Sequence, residues 1–255
     1  MRPSIESLPK HDELGVLTRA LEVASLAGAS GLLLVHIVRL SVSSETFTWW
    51  VPILAAVAML AADLVSGLVH WTADTWGSES LPVLGRRFLR PFRVHHVNPD
   101  DFLRRNFIDT NGDVAMLSIP ILLSAFLIPL DSGAGLLAAV FVVAFSACAL
   151  PTNQVHQWAH MSEPPSWVSW LQQRGLLLSR EQHQLHHAAP YAMNYCITNG
   201  WCNRALTAVS FFPTLEWIIS RLTGLKPRGE DQVFAGKFEA PAASLSPEAA
   251  VEKCP

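Results

Sequence analysis

Apolar residues along the chain gather into four runs, separated by segments rich in arginine and histidine. A membrane-crossing helix needs about 20 predominantly apolar residues, and by that measure residues 21–40, 49–70, 114–130 and 133–150 are transmembrane spans. The second run contains a single charge, Asp63, and the third and fourth are joined by Pro129-Leu130-Asp131-Ser132-Gly133, the signature of a helical hairpin. The first run carries Glu22, His36 and Arg39 near its ends. No small-residue cleavage pattern follows it, so it is expected to stay as a helix and not to be removed as a signal peptide. Beyond residue 150, stretches 165–178 and 205–222 read as amphipathic helices. With Trp167, Trp170, Trp201 and Trp217 they are expected to lie at the membrane surface. From 229 to 255 the residues are Ala, Pro, Ser, Glu and Lys without periodicity, which predicts a disordered tail after one domain of residues 1–228.

Composition agrees with the spans. Half of the 255 residues are hydrophobic and 15% are charged, against about 25% in soluble domains. The expected class is an all-α integral membrane protein. A net charge of -3 offers no general basic footprint for nucleic acid. The four cysteines, Cys148, Cys196, Cys202 and Cys254, form no CxxC pair, which argues against a disulfide framework or a cysteine-rich zinc site. Arg86, Arg87, Arg90, Arg93, Arg104 and Arg105 fall between spans two and three, while the two outer connections hold almost no cations. Positive charge stays inside, so both termini and the long middle loop are expected on the cytoplasmic side, at the inner membrane in a bacterial cell.

Ten histidines are the outlier, and eight of them cluster: His70 with Asp74, His95 with His96, His156 with His160, and His183 with His186 and His187. Residues three or four apart share a helix face, so each of the first, third and fourth clusters can converge. His95 and His96 stand about 100° apart on a helix, placed to serve different metals or to sit at an irregular turn. With four spans, all four clusters fall on the cytoplasmic side. His11 and His36 have no histidine partner at helical spacing, and His36 falls at the opposite side, so both are read as ordinary residues. One zinc takes three or four protein ligands, about half of this set. Two six-coordinate ions with open positions would absorb it, and imidazole with vacant positions suits oxygen-activating non-haem iron. A bis-histidine haem would instead need isolated axial histidines facing each other inside the bundle.

The clusters sit in longer motifs: His70-Trp71 with Asp74-Thr75-Trp76-Gly77, Arg90-Pro91-Phe92-Arg93 before His95-His96, Asn106-Phe107-Ile108 with Thr110-Asn111-Gly112-Asp113, His156-Gln157-Trp158-Ala159-His160, His183-Gln184-Leu185-His186-His187, Asn194 through Trp201, and Leu222 through Arg228. In order and spacing the chain resembles the Kua or CarF family of membrane lipid desaturases, typified by plasmanylethanolamine desaturases, from about residue 60 to 228. The resemblance implies a di-iron enzyme holding two Fe ions and using O2 as co-substrate. Its substrate would be the 1-O-alkyl chain of a plasmanyl ethanolamine phospholipid, converted to the vinyl ether of a plasmalogen. It also implies that the eight clustered histidines bind the metals, with Asp74 as ligand or supporting carboxylate. Asp100, Asp109 and Asp113 are weaker candidates for such support. They read equally as loop carboxylates or helix caps, with Asp113 starting span three.

No flavin, haem or iron–sulfur motif is visible, so the electrons are expected from a cytochrome or ferredoxin-type partner. Trp71, Trp76 and Trp158 would line the path of the lipid chain or anchor the interface, and Asn194 and Trp201 would approach the headgroup or ether region. Two alternatives stand beside this reading: a phospholipid-linked acyl desaturase or hydroxylase on the same iron site, and a non-catalytic membrane haem or metal-binding protein.

Overall fold

Each apolar run forms a helix, with shifted limits: the second starts at Val51 and runs on to Thr75, and the third starts earlier than expected, at Phe107, and ends at Leu127, short of residue 130. The computed structural model describes residues 10, 15–43, 49–188 and 191–228. The expected disordered tail and His11 lie outside them. Four long helices come first to notice: α1 (Val16–Ser41), α2 (Val51–Thr75), α5 (Phe107–Ser124) and α6 (Gly133–Ala149). Between α2 and α5, one π-helical turn (Gly85–Leu89) runs into α3 (Arg90–Val97), followed by α4 (Pro99–Leu103). After α6 come α7 (Thr152–His160), α8 (Ser166–Gln173), α9 (Arg180–His186), α10 (Trp201–Ala208) and α11 (Phe211–Thr223), with no strand among the described residues.

The polarity of the bundle is that of a membrane protein. Large apolar side chains face outward, among them Leu34, Ile53, Leu117 and Leu137, whereas the buried faces of α1 and α2 are built from Glu22, Ser25, Ala29, Ala58, Ala62, Asp63, Ser66 and Gly67. Lipid is as apolar as leucine, so small and polar residues, not large apolar ones, are drawn to helix–helix contacts. Gly112 shows how close the approach is: a Cβ there would stand 2.5 Å from the Glu22 side chain. Four helical segments are long and apolar enough to cross a bilayer, Val16–Ser41, Val51–Thr75, Phe107–Leu127 and Gly133–His160.

Helix directions place the site. Arg19 near the start of α1 pairs with Asp109 at the start of α5, and Arg39 at its end donates to the carbonyls of Ala125 and Ile128 past the end of α5. These two helices therefore run parallel. The start of α2 (Val51, Leu54) packs with Leu136, Ala139 and Val140 of α6, so α2 and α6 also run parallel. The end of α2, carrying His70 and Asp74, thus meets the α7 extension of α6.

Several expectations are corrected. Span three begins at Phe107, not near residue 114, because Asn106 caps it by accepting from the backbone N–H groups of Ile108 and Asp109. Asp113 lies inside α5, not at its start, and pairs with Arg87. Span four as expected corresponds to α6, which ends at Ala149. A new helix, α7, starts at Thr152 directly after the N-cap Pro151, where a missing N–H costs no helical bond, so the apolar segment long enough to cross runs on to His160. The amphipathic stretch 205–222 is broken at Val209–Ser210, since the Pro213 ring excludes the carbonyl of residue 209 from a continuous helix. The stretch 165–178 stops being helical at Gln173, and Gly175 then takes a left-handed turn at φ +66°.

Candidate metal centre

All eight clustered histidines and Asp74 converge at one end of the bundle. His70 and Asp74 come from the last turns of α2, His95 and His96 from α3, His156 and His160 from α7, and His183, His186 and His187 from α9 and its C-cap. Their candidate ligand atoms fall into two groups. His95, His156, His160, His183 and His187 form one, and His70, His95, His96 and His186 form the other, with the atoms of each group within 4.8 Å of one another. His95 belongs to both. His95 and His96 do not separate into different groups as their spacing suggested: their ring centroids stand 4.3 Å apart and both belong to the second group, while His95 alone also reaches the first, its ring 4.8 Å from that of His156.

The first group cannot be satisfied by hydrogen bonds alone. The Nε2 atoms of His156 and His183 are 2.9 Å apart, those of His183 and His160 2.9 Å, and those of His160 and His156 3.3 Å. A neutral imidazole nitrogen either donates or accepts. Among three nitrogens in mutual contact, at least one pair is therefore alike. A cation receiving all the lone pairs removes that conflict. With metal–imidazole bonds of about 2.1 Å, neighbouring ligand nitrogens stand about 3.0 Å apart at right angles and about 3.4 Å at tetrahedral angles. The observed separations match this range.

The second group makes the same demand by a different route. The Nδ1 of His70 contacts the Tyr195 carbonyl at 3.1 Å and that of His186 the Met193 carbonyl at 2.8 Å. A carbonyl only accepts, so each Nδ1 carries the proton and each Nε2 of a neutral ring presents a lone pair. Yet both Nε2 atoms face the Asp74 Oδ2, at 3.1 and 3.3 Å, where His96 Nε2 also lies at 3.0 Å. Lone pairs aimed at a carboxylate oxygen in a buried site repel unless a cation stands among them. Buried atoms without a hydrogen-bond partner point the same way: His70 Nε2, Asp74 Oδ1, both ring nitrogens of His95, His96 Nδ1 and His183 Nδ1. Burial also drives the rings outside the spans toward the neutral form that binds metal. His95 and His183 are held well below the ordinary histidine range, and His186 is lowered to about 3. The donor set therefore fits metal ions.

The other candidates are placed more loosely. Asp100 is exposed, Asp109 pairs with Arg19, and Asp113 pairs with Arg87, and none of the three belongs to either histidine group. His36 is buried with its Nε2 2.8 Å from the Leu122 carbonyl, toward the opposite end of α1 and α5. Trp71 is buried against Phe212 and Trp76, and its indole N–H donates to Glu216. Trp158 meets Trp167 edge to face, the side chain of Asn194 accepts from Thr207, and Trp201, 43% exposed, donates to the Gly175 carbonyl. Sequence reasoning missed Tyr195 and Met193, whose carbonyls orient two of the histidines. No side-chain pattern marks a backbone oxygen.

Residues 59–230 match the lipid desaturase domain. The chain is 40% identical to the plasmanylethanolamine desaturase of Myxococcus xanthus over 90% of its own length and 85% of that protein's. It is 42% identical to plasmanylethanolamine desaturase 1 of Mus musculus, covering 73% and 72%. Fatty acid desaturase 4, chloroplastic, of Arabidopsis thaliana is 39% identical over 69% of this chain and 54% of that protein. No solved structure matches. With a buried histidine constellation built for metals at the end of four apolar helices, and with these relatives, the chain belongs to the lipid desaturase family, an oxidoreductase family of membrane proteins.

Proposed function

We propose that this protein is an O2-dependent di-iron desaturase that converts the 1-O-alkyl chain of plasmanylethanolamine to the vinyl ether of a plasmalogen. The observation that carries the reading is the pair of convergent histidine groups sharing His95, in a chain 40% and 42% identical to two plasmanylethanolamine desaturases. The eight histidines with Asp74 would hold two iron ions, which supply the oxidising power toward an unactivated C–H bond that side chains lack. The overall reaction takes two hydrogens from the chain, two electrons and two protons from outside, and one O2, and releases two waters. The electrons would come from a separate cytochrome or ferredoxin-type donor.

The protein's own part is positional. Tyr195 and Met193 hold the Nδ1–H of His70 and His186, so the opposite nitrogens present lone pairs. Tyr195 and Phe92 pack on the His70 ring, and Phe102 packs on His95 and His156, which keeps water from that side of the centre. Four membrane crossings with the metal centre and both termini on the cytoplasmic side are supported by the six arginines between spans two and three.

The test is lipid mass spectrometry on bacterial cells that express the chain and are fed a 1-O-alkylglycerol. Acid-labile ether phospholipids two mass units below the saturated ether, absent with His96→Ala, are expected. An iron-loaded protein that yields only unsaturated acyl chains would replace the ether substrate with an acyl one, and a protein without iron would overturn the di-iron reading.

A further inference from the structure

One face of α2 carries more than metal ligands. Asp63, Ser66, Gly67, His70 and Asp74 follow one another at helical spacing and are all buried. The upper two point into the histidine cluster. The other three meet the backbone of residues 196–202.

Asp63 is fully buried within the apolar span, and its carboxylate accepts four backbone N–H groups. Thr198, Asn199 and Gly200 donate to Oδ1 at 3.2, 3.0 and 2.9 Å, and Cys202 donates to Oδ2 at 3.0 Å. Ser66 adds a fifth tie: its hydroxyl accepts from the N–H of Ile197 at 3.0 Å and donates to the Asp63 carbonyl at 2.7 Å. Gly67 lets the strap lie flat, since a Cβ there would stand 2.5 Å from the Cys196 Sγ and 3.2 Å from its backbone nitrogen. Asn203 closes the far side by bonding both the N–H and the carbonyl of Cys196 at 2.9 Å. The residue next to Cys196 is Tyr195, whose carbonyl receives His70 Nδ1.

We propose that Asp63 is a positioning residue for the metal centre: it fixes the 196–202 strap against α2 and thereby sets the Tyr195 carbonyl that orients the His70 ring. A charge deep in a span is costly and rare unless it has a task and partners. Here the partners are four N–H groups of a single strap, and the task is to hold a backbone oxygen one residue from that strap. The proposal rests on the reading of the histidines as metal ligands.

The experiment uses the full-length protein in detergent, reconstituted with Co2+, and reads chelator-competition affinity and the visible absorption of the bound ion. In Asp63→Asn the side-chain nitrogen faces the Cys202 N–H donor to donor. In Ser66→Ala the Ile197 N–H loses its acceptor. Groups that orient metal ligands are typically worth about 10–100-fold in metal affinity, so both variants, helical and monodisperse, should bind Co2+ more weakly by that order and shift its absorption bands. If Asp63→Asn does not fold, Ser66→Ala carries the test. Leu136→Ala, which loosens the α2–α6 contact away from the strap, should leave affinity and spectrum unchanged; an equal shift there would reduce the Asp63 effect to general loosening and overturn the proposal. His70→Ala separates the two levels. Native Co2+ binding in His70→Ala refutes the ligand assignment, whereas loss in His70→Ala with native binding in both strap variants refutes the positioning role alone.

Discussion

His95 is the residue whose loss should distinguish two metal positions from one. It is the single histidine common to the two groups, it is 2% exposed, and neither of its ring nitrogens has a hydrogen-bond partner. His95→Ala takes one of five histidines from the first group and one of four from the second. His160→Ala removes a histidine from the first group only, and His96→Ala from the second only. A group that merely orients a ligand is worth about 10–100-fold in affinity, and a ligand itself at least as much. After gel filtration with a mild chelator, elemental analysis should therefore find about two iron ions per chain in the parent, about one in His160→Ala and His96→Ala, and close to none in His95→Ala. The variants should stay helical, because the four long helices pack through contacts remote from this ring. If His95→Ala keeps as much iron as His160→Ala, the shared position is wrong and His95 serves one ion only.

Acid should destabilise the metal-free protein. Burial lowers His186 from 6.5 to about 3 and pushes His95 and His183 down as well. Between those values the unfolded chain binds more protons than the folded one. Stability from these rings is complete above about pH 6.5 and is lost as pH falls toward about 3; a thermal midpoint that stays flat from about pH 7 to about pH 4 in chelator-treated protein would contradict this. His36→Ala removes a buried bond to the Leu122 carbonyl far from the centre, so turnover should be unchanged while stability falls by about 1–3 kcal/mol, and a folded but inactive variant would place His36 in the chemistry. Glu216→Gln removes the charge that holds Arg228 at 2.9 and 2.6 Å and accepts from Trp71 at 3.1 Å. Its denaturation should show a loss of about 1–3 kcal/mol with iron content intact; loss of iron would mean that this clasp supports the metal site.

The spans and the histidine pairs were legible because each is a local pattern of length or spacing. His156 and His160 sit four apart, and a single helix suffices to bring them together. The limits of the elements were less legible, although Asn106 and Pro213 carried usable signals as a helix cap and a helix breaker. The meeting of α2, α3, α7 and α9 followed from span count and side, not from any contact pattern. What stayed hidden were contacts between distant segments through backbone atoms, such as Tyr195 O with His70 and Met193 O with His186.

Asp63 shows why the hidden part was nevertheless partly written in the chain. In a soluble helix the apolar stripe marks the buried face, and α2 has no such stripe because nearly all its residues are apolar. Lipid inverts the rule: the polar and small residues mark the inner face. Read that way, Asp63, Ser66, Gly67, His70 and Asp74 form one stripe at spacings of three, one, three and four residues. The stripe then predicts that Asp63 looks into the same interior as His70. A lone carboxylate at that depth needs donors from another segment, and the structure supplies them from the strap that begins beside Tyr195. The spacing of the polar residues in this span, more than its hydropathy, thus carries the link between the membrane bundle and its metal centre.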